Sequence, residues 1–346
     1  MRITFLSPHL TVSGGVRIIC EYARRLSERK HRVNLIYRDR RYPFLRNFIQ
    51  RFIKTVRWVD LKGVNLKFVR RWDEKYIPEA DVIFATTWQT ARLLNNCSFS
   101  RGKKFHLIQH LPVEGVIDDT PKARETISFP LHKIVTSRWL QQRLMDEYGQ
   151  KGDYIPNGIN QSQFFPVKKT YGTKRIGMLH HTAALKGFND GLKAFELVRK
   201  SIPDAKLVLF GVRHRRPTEL KSSDVEYRHN PPQQKLREIY SSCDVFICPS
   251  WYEGVPLPPL EAMACKTALA TTDNGGCREY AIHNQTALVS PIKNPEALAE
   301  NVIKLLSDQA FLTRISENGY KMAQQFNWQS SVNKMEKLLI LTLLKS

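Results

Sequence analysis

Short apolar runs alternate with amphipathic helical segments along most of the chain, and the alternation occurs twice. The first series contains the runs RITFL, VNLIY, DVIFA, KFHLIQ and KIVTS, with helical patterns over residues 15–29 and 140–148. The second contains RIGML, KLVLF, VEYRH, DVFIC and TALAT, with helical patterns over residues 188–200, 236–241 and 260–265. Apolar strands joined by helices are typical of parallel sheets with crossover helices. The pattern predicts an α/β protein with two Rossmann-like parallel-sheet domains.

A polar stretch rich in proline and glycine, residues 157–173, separates the two series and is typical of a linker. We place the boundary near its middle, which gives predicted domains over residues 1–165 and 166–325. A chain of 346 residues is long enough for two cores. Residues 326–346 form a predicted terminal helix whose apolar side must be buried, and we expect it to return to the first domain.

The formal net charge of +22 predicts attraction to polyanions. Residues 43–57 place large apolar side chains on one half of a helical wheel and Arg46, Arg51, Lys54 and Arg57 on the other. This pattern favours a helix on an anionic membrane surface. The alternative is a helix packed on the sheet with a solvated basic face. No helix-turn-helix, zinc-finger or RNP-type pattern indicates a nucleic-acid partner.

The longest apolar stretches, such as residues 338–344, fall far below the about 20 residues that span a bilayer. The amino-terminal residues lack the apolar core and the cleavage site of a secretory signal. Six cysteines without a C-x-x-C pair argue against a zinc site or a disulfide framework and predict buried thiols. We therefore expect a cytoplasmic protein, peripheral on the inner face of the membrane if the basic segment binds lipid.

The strongest local motif is SWYEGVPLPPLEAMA, residues 250–264, which directly follows the apolar run DVFIC. Ligands of open α/β sheets bind beyond the carboxyl ends of strands, where a helix start offers free N–H groups to a phosphate. Pro258 and Pro259 suit such a start. Glu253 in the loop and Glu261 about one turn into the helix are predicted to face one ligand. The alternative is that both are solvated carboxylates.

The Glu-x7-Glu spacing and the residues within it resemble the retaining glycosyltransferases of family 4, which have the GT-B fold. The resemblance covers nearly the whole chain, is closest over residues 207–306, where GGCREY and NPEALAENVIKLLSD lie, and is weakest over residues 44–72. It implies two domains facing across a cleft, the first binding the acceptor and the second a nucleotide-sugar donor. It also implies that Glu261 holds the donor ribose and that Glu253 lies beside the transferred sugar.

The same resemblance implies further site residues. Lys186 in LKGF would pair with the donor diphosphate, a role that suits a compact ammonium group. Gly14 and Gly15, which open the first predicted helix, would face the diphosphate, and His110 at the end of KFHLIQ would lie near the sugar and the acceptor. The backbone of four loop residues would approach the sugar and the diphosphate: Gly254, Val255, Pro256 and Leu257.

One position departs from the family pattern. Many relatives carry a diphosphate-binding arginine six residues before Lys186, where this chain has His180. A neutral histidine donates only one hydrogen bond, so a protonated His180 or His181 would be needed to replace the arginine.

The chain contains no D-x-D motif, and no metal site is predicted. Lys186, loop amides and a helix start would instead stabilise the departing diphosphate. The sequence thus predicts a metal-independent, cofactor-free, retaining transferase that moves a sugar from a nucleotide-sugar to a glycan or lipid-linked acceptor in cell-envelope polysaccharide or glycolipid synthesis. The alternatives are a sugar-nucleotide epimerase on the same fold, a phosphorylase-like enzyme and a non-catalytic basic binding module.

Overall fold

A computed structural model of the protein describes residues 1–38, 59–167, 172–212 and 224–345. The chain divides into two compact units, one formed by Met1–Asn157 with Gln329–Ser346 and the other by Gly158–Trp328. The division falls earlier than the predicted boundary near residue 166. The reason is that Ile159 and Phe164 are buried in a core cluster of the second unit.

The predicted basic membrane helix, residues 43–57, lies outside the described residues. Within the described ranges, no helix is both long enough and apolar enough to cross a membrane.

The first unit contains a seven-stranded parallel sheet in the order β3-β2-β1-β4-β5-β6-β7. Its strands are β1 Arg2–Ser7, β2 Arg32–Arg38, β3 Asn65–Val69, β4 Val82–Ala85, β5 Lys103–Ile108, β6 His132–Val135 and β7 Asp153–Tyr154. The helices among its described residues are α1 Gly14–Glu28, α2 Trp88–Asn96, α3 Pro121–Glu125, α4 Arg138–Tyr148 and, from the chain end, α10 Trp328–Leu344. Side-chain caps fix several helix starts. Ser13, for example, accepts a hydrogen bond from the backbone N–H of Val16 at the start of α1.

The second unit contains a six-stranded parallel sheet in the order β10-β9-β8-β11-β12-β13. Its strands are β8 Arg175–Leu179, β9 Lys206–Gly211, β10 Val225–His229, β11 Val245–Cys248, β12 Ala268–Thr272 and β13 Leu288–Ser290. Its described helices are α5 Phe188–Ser201, α6 Gln233–Ser241, α7 Leu257–Ala264, α8 Pro295–Ser307 and α9 Gln309–Ala323. The prediction of two Rossmann-like parallel-sheet domains is confirmed.

Helices cover both faces of the second sheet, as the packing of the β11 side chains shows. Val245 and Ile247 belong to a core cluster with α5 and α8, whereas Phe246 and Cys248 belong to another with α6 and α7. A strand buried on both faces must be apolar at every position, which explains why VFIC shows no alternation. The six cysteines all lie in the described residues, where they are buried thiols as predicted.

Helix α10 is held to the first unit by a charged cluster centred on Glu336. The carboxylate of Glu336 lies 2.7 Å from Nη1 of Arg29 and 2.6 Å from Nε2 of His31. Partial burial alone would raise the pKa of Glu336, but the hydrogen bonds and charges of His31 and Arg29 outweigh it and hold the pKa below its usual range.

Replacing Glu336 with glutamine is expected to lower the free energy of unfolding of the first unit by about 1 kcal/mol at pH 7. A carboxyl group with a depressed folded-state pKa stabilises the fold above its unfolded-state pKa, and this contribution is lost as the pH falls through the folded-state value. The difference between wild type and variant should therefore shrink from pH 5 towards acid. Urea unfolding at several pH values measures it. Glu125→Gln, at an exposed pair with Arg92 in the same unit, is the control, and a difference that does not vary with pH would contradict the argument.

Candidate active site

The second sheet reverses its direction of growth between β8 and β11. From β8 the chain adds β9 and β10 on one side, and it then returns to place β11 on the other. The loops after β8 and β11, residues 180–187 and 249–256, thus leave neighbouring strands at the same edge in diverging directions. Such a switch point forms the crevice in which open α/β sheets bind ligands.

Two charged side chains meet at this crevice. The Lys186 ammonium lies 2.6 Å from Oε1 and 2.8 Å from Oε2 of Glu253, so it donates to both carboxylate oxygens. The side chains are 28% and 12% exposed. Burial acts to lower the pKa of Lys186, but the charge and hydrogen bonds of Glu253 outweigh it and raise that pKa, which keeps Lys186 a cation.

Trp251, which the sequence analysis did not single out, ties the two loops together. Its backbone N–H donates to the Leu185 carbonyl at 2.7 Å, and its indole Nε1 donates to the Asp190 carboxylate of α5 at 2.7 Å. The Lys293 ammonium lies 4.5 Å from the centroid of its ring. The loop of Lys186 is therefore fixed against the loop of Glu253. The sequence signal that could have identified Trp251 is a large aromatic side chain two residues before Glu253, just after a buried strand.

Gly187 permits the close approach of these loops. It adopts a φ of +59°, and a Cβ at this position would lie 2.0 Å from the carbonyl oxygen of Pro249. Glycine adopts a positive φ at little steric cost and has no Cβ to collide with that oxygen. Gly187 thereby allows Lys186, its neighbour in the LKGF motif, to reach the end of β11.

The loop that carries Glu253 is also held from the side of β12. The Glu253 N–H donates to the Asn274 carbonyl at 2.9 Å, and the Gly276 N–H donates to the Glu253 carbonyl at 3.1 Å. A Cβ at Gly276 would lie 2.2 Å from the carbonyl oxygen of Gly254. The buried Tyr280 hydroxyl donates to the Pro256 carbonyl at 3.2 Å. The GGCREY segment therefore supports the loop of the Glu-x7-Glu motif.

Helix α7 begins at Leu257, with Pro258 and Pro259 in its first turn, as the sequence predicted. Pro256, the cap residue, has no N–H and cannot offer an amide to a ligand. Pro258 and Pro259 lack an N–H as well. Val255 in the loop and Leu257 at the helix start therefore carry the amides that a phosphate could use.

Glu261 lies in the fifth position of α7 and is 2% exposed. It accepts a hydrogen bond from the buried Tyr240 hydroxyl at 2.9 Å. A buried carboxylate requires such partners, and Tyr240 supplies one from the neighbouring helix α6. The solvated-surface alternative for Glu261 is therefore wrong. Its predicted contact with a ribose stays a prediction.

The two histidines after β8 have different surroundings. The ring of His180 is buried against Phe188, with a centroid separation of 4.6 Å, and its Nδ1 lies 3.2 Å from the Tyr227 hydroxyl. Nδ1 of His181 accepts a hydrogen bond from the Ala183 N–H at 3.0 Å, which requires that nitrogen to be unprotonated. His180 is thus packed among aromatic side chains, and the replacement of the arginine by His180 or His181 stays a prediction.

The remaining predicted residues lie in the first unit. Gly14 and Gly15 open α1 after β1, which is the switch-point strand of its sheet. Gln109 at the end of β5 donates to the Gly15 carbonyl at 3.1 Å. Next to it, Nε2 of His110 lies 2.9 Å from the Asp118 carboxylate, which can orient the imidazole ring. The structure thus places Gly15 beside the strand end that carries His110.

The predicted site residues form two sets. Lys186 and Glu253 are in direct contact in the second unit, where Glu261 occupies the helix that follows the Glu253 loop. Gly14, Gly15 and His110 belong to the first unit. Among the described residues, no group of three or more histidine, cysteine or acidic side chains is arranged to hold a metal ion.

Comparison with known proteins agrees with this architecture. Residues 160–322 match the family described as Glycosyl transferases group 1. An uncharacterized glycosyltransferase of Methanocaldococcus jannaschii is 33% identical over 287 residues, which cover 73% of each protein. The chain belongs to the group 1 glycosyltransferase family. The chain is also similar to the N,N'-diacetylbacillosaminyl-diphospho-undecaprenol α-1,3-N-acetylgalactosaminyltransferase of Campylobacter jejuni, with 30% identity over 187 residues. That match covers 49% of this chain and 49% of the Campylobacter enzyme.

Solved structures show that this family member has the GT-B fold. The Anabaena protein HepE, in its complex with UDP-glucose, superposes with a TM-score of 0.77 at 15% identity, and the match covers 100% of both chains. At that identity the likeness establishes the fold alone.

Proposed function

We propose that this group 1 glycosyltransferase is a retaining enzyme of family 4 that transfers a sugar from a nucleotide-sugar to a glycan or lipid-linked acceptor. The observation that carries the proposal is the contact between Lys186 and Glu253 at the switch point of the second sheet. A cation at a carboxyl-end crevice, beside the backbone amides of Val255 and Leu257, suits a diphosphate. The structure of HepE with UDP-glucose supports a nucleotide-sugar as the ligand class.

In the proposed donor complex, Lys186 and the backbone amides of Val255 and Leu257 bind the diphosphate. Glu261 binds the ribose, and Glu253 lies beside the sugar. The acceptor hydroxyl attacks the anomeric carbon from the face that the diphosphate leaves. The bond to the diphosphate oxygen breaks, and the acceptor proton passes to the leaving phosphate. Lys186 stabilises the negative charge that develops there without a metal ion, because the protein holds this cation in place before the reaction.

The first unit is the proposed acceptor domain, with His110 at the end of β5 as a group near the acceptor and with Gly14 and Gly15 at the start of α1. The name of the Campylobacter relative specifies a diphospho-undecaprenol acceptor and an α linkage. That name supports a lipid-linked acceptor here, and a net charge of +22 suits a substrate that carries phosphates at an anionic membrane surface.

A donor screen tests the proposal. We expect one of the UDP, GDP, ADP or dTDP sugars, at about a hundred times its Kd, to raise Tm by about 5 °C through mass action. With that donor, the nucleoside diphosphate should be released only when acceptor is added, and excess EDTA should leave the rate unchanged. NMR of the product should show the anomeric configuration of the donor.

Three other outcomes would contradict the proposal in different ways. Conversion of the donor to another nucleotide-sugar without acceptor would identify an epimerase. Inversion at the anomeric carbon would overturn the retaining assignment but leave the transferase. The absence of any shift or product with all four donor classes would overturn donor binding itself.

A further inference from the structure

The cation of the candidate donor site already has an anionic partner within the protein. Both oxygens of Glu253 accept hydrogen bonds from Lys186, at 2.6 and 2.8 Å. An ammonium group has three donors, and two of them are taken by this carboxylate. A diphosphate that binds Lys186 therefore meets the charge of Glu253 at the same ammonium group.

The backbone keeps Glu253 in this place. Its N–H and carbonyl are hydrogen bonded to Asn274 and Gly276. Trp251, two residues earlier, connects the same loop to the loop of Lys186. The side chain of Glu253 is 12% exposed. A carboxylate with so little solvent around it requires a cation or hydrogen-bond donors as partners, and Lys186 supplies both.

We propose that Glu253 is an internal counterion that competes with the donor diphosphate for Lys186. In the unoccupied site the carboxylate holds the ammonium group. When a diphosphate takes Lys186, the pair opens, and the carboxylate becomes available to hydroxyl groups of the neighbouring sugar. After transfer, Glu253 returns to Lys186 and promotes release of the nucleoside diphosphate. This inference rests on the proposed function and adds a regulation of the same site.

The exchange has a direct energetic consequence. In the proposed exchange, diphosphate binding breaks a partly buried ion pair and brings phosphate charge near a carboxylate, and both steps oppose binding. A glutamine at position 253 keeps the size of the side chain and removes its charge. It should remove both costs, so nucleoside diphosphates should bind more tightly while nucleosides, which lack phosphate, should bind as before.

Titration calorimetry with UDP, GDP, ADP and dTDP, and with the corresponding nucleosides, tests the inference on the full chain. For the diphosphate that the wild type binds, we expect Glu253→Gln to lower Kd about tenfold and to slow its dissociation. The nucleoside Kd should not change. In a Lys186→Gln background no ion pair has to be broken and only the repulsion between the carboxylate and the phosphate remains, so the effects of the two substitutions on Kd should not be additive.

Glu226→Gln is the matched control. Glu226 belongs to β10 of the same unit and pairs with Arg175 at 2.8 Å and with Arg228, so its replacement changes the net charge equally. Equal tightening by the control would show a general charge effect and overturn the inference. Unchanged or weaker diphosphate binding by Glu253→Gln would also overturn the inference. The proposed function would still stand in that case, provided that the wild-type protein binds a nucleoside diphosphate.

Two further outcomes are distinguishable. If the wild type binds none of the four diphosphates, the proposed function fails and the inference fails with it. If Glu253→Gln does not fold, as judged by its thermal transition, Glu253→Asp serves instead. Its shorter side chain should weaken the contact with Lys186 and tighten diphosphate binding by a smaller factor, and no tightening would again overturn the inference.

Discussion

Replacement of Lys186 by alanine is expected to slow sugar transfer by about a hundred- to a thousand-fold, the loss seen when one preorganised charge-stabilising group is removed. The change removes the cation that faces the proposed diphosphate. It also leaves the poorly exposed carboxylate of Glu253 without Lys186 as its partner, which adds repulsion against the phosphate charge. Initial rates with saturating acceptor measure the effect, and kcat should fall more than the donor KM rises if Lys186 acts chiefly on the leaving group.

Lys235→Ala provides a control in the same unit. Lys235 also donates to both oxygens of a glutamate, Glu238, at 2.9 and 3.0 Å, but on the surface of α6. We expect its replacement to leave the rate nearly unchanged. Lys186→Arg should retain part of the activity, since the charge is kept but its geometry differs. A Lys186→Ala enzyme with wild-type kcat would remove Lys186 from the proposed mechanism.

The alternation of apolar runs predicted both sheets because buried parallel strands need continuous apolar sequence. It also located α5 well, since the predicted helix over residues 188–200 is observed as Phe188–Ser201. Three strands were missed: Asn65–Val69, Asp153–Tyr154 and Leu288–Ser290. Each lies at an edge of its sheet, and each is either very short or, like Asn65–Val69 with its exposed Asn65 and Lys67, without a continuous apolar run.

The site was only partly predictable for a different reason. The Glu-x7-Glu motif is local, and it correctly placed Glu253 in the loop and Glu261 in the following helix. The contact between Lys186 and Glu253 joins residues 67 positions apart, and no periodicity or spacing within a single sequence encodes such a pair. Only the adjacency of β8 and β11 in the sheet brings these residues together.

The same limit applies to His180. From the sequence, this residue was a candidate to replace a phosphate-binding arginine, because it occupies the corresponding position. The structure instead buries its ring between Phe188 and Tyr227, which come from α5 and β10. A histidine can fill an aromatic pocket as well as bind a phosphate, and the residue type alone does not distinguish the two roles.

Gly276→Ala is expected to lower the free energy of unfolding of the second unit by about 3 kcal/mol and to reduce transfer at least about a hundred-fold. The new Cβ would lie 2.2 Å from the Gly254 carbonyl oxygen and 2.7 Å from that of Glu253, and these are backbone atoms that cannot rotate away. The loop of Glu253 must therefore move. A displacement of about 1 Å is enough to misplace a group that acts on the leaving diphosphate.

Urea unfolding and initial rates, the latter at a temperature where the variant is fully folded, separate the two effects. Gly149→Ala is the control, because Gly149 has a φ of +61° but no atom within 4 Å of its added Cβ. It should cost only about 1 kcal/mol, for the left-handed backbone, and leave the rate unchanged. If Gly276→Ala were as stable and as active as the control, the support of the Glu253 loop by the GGCREY segment would not matter for transfer.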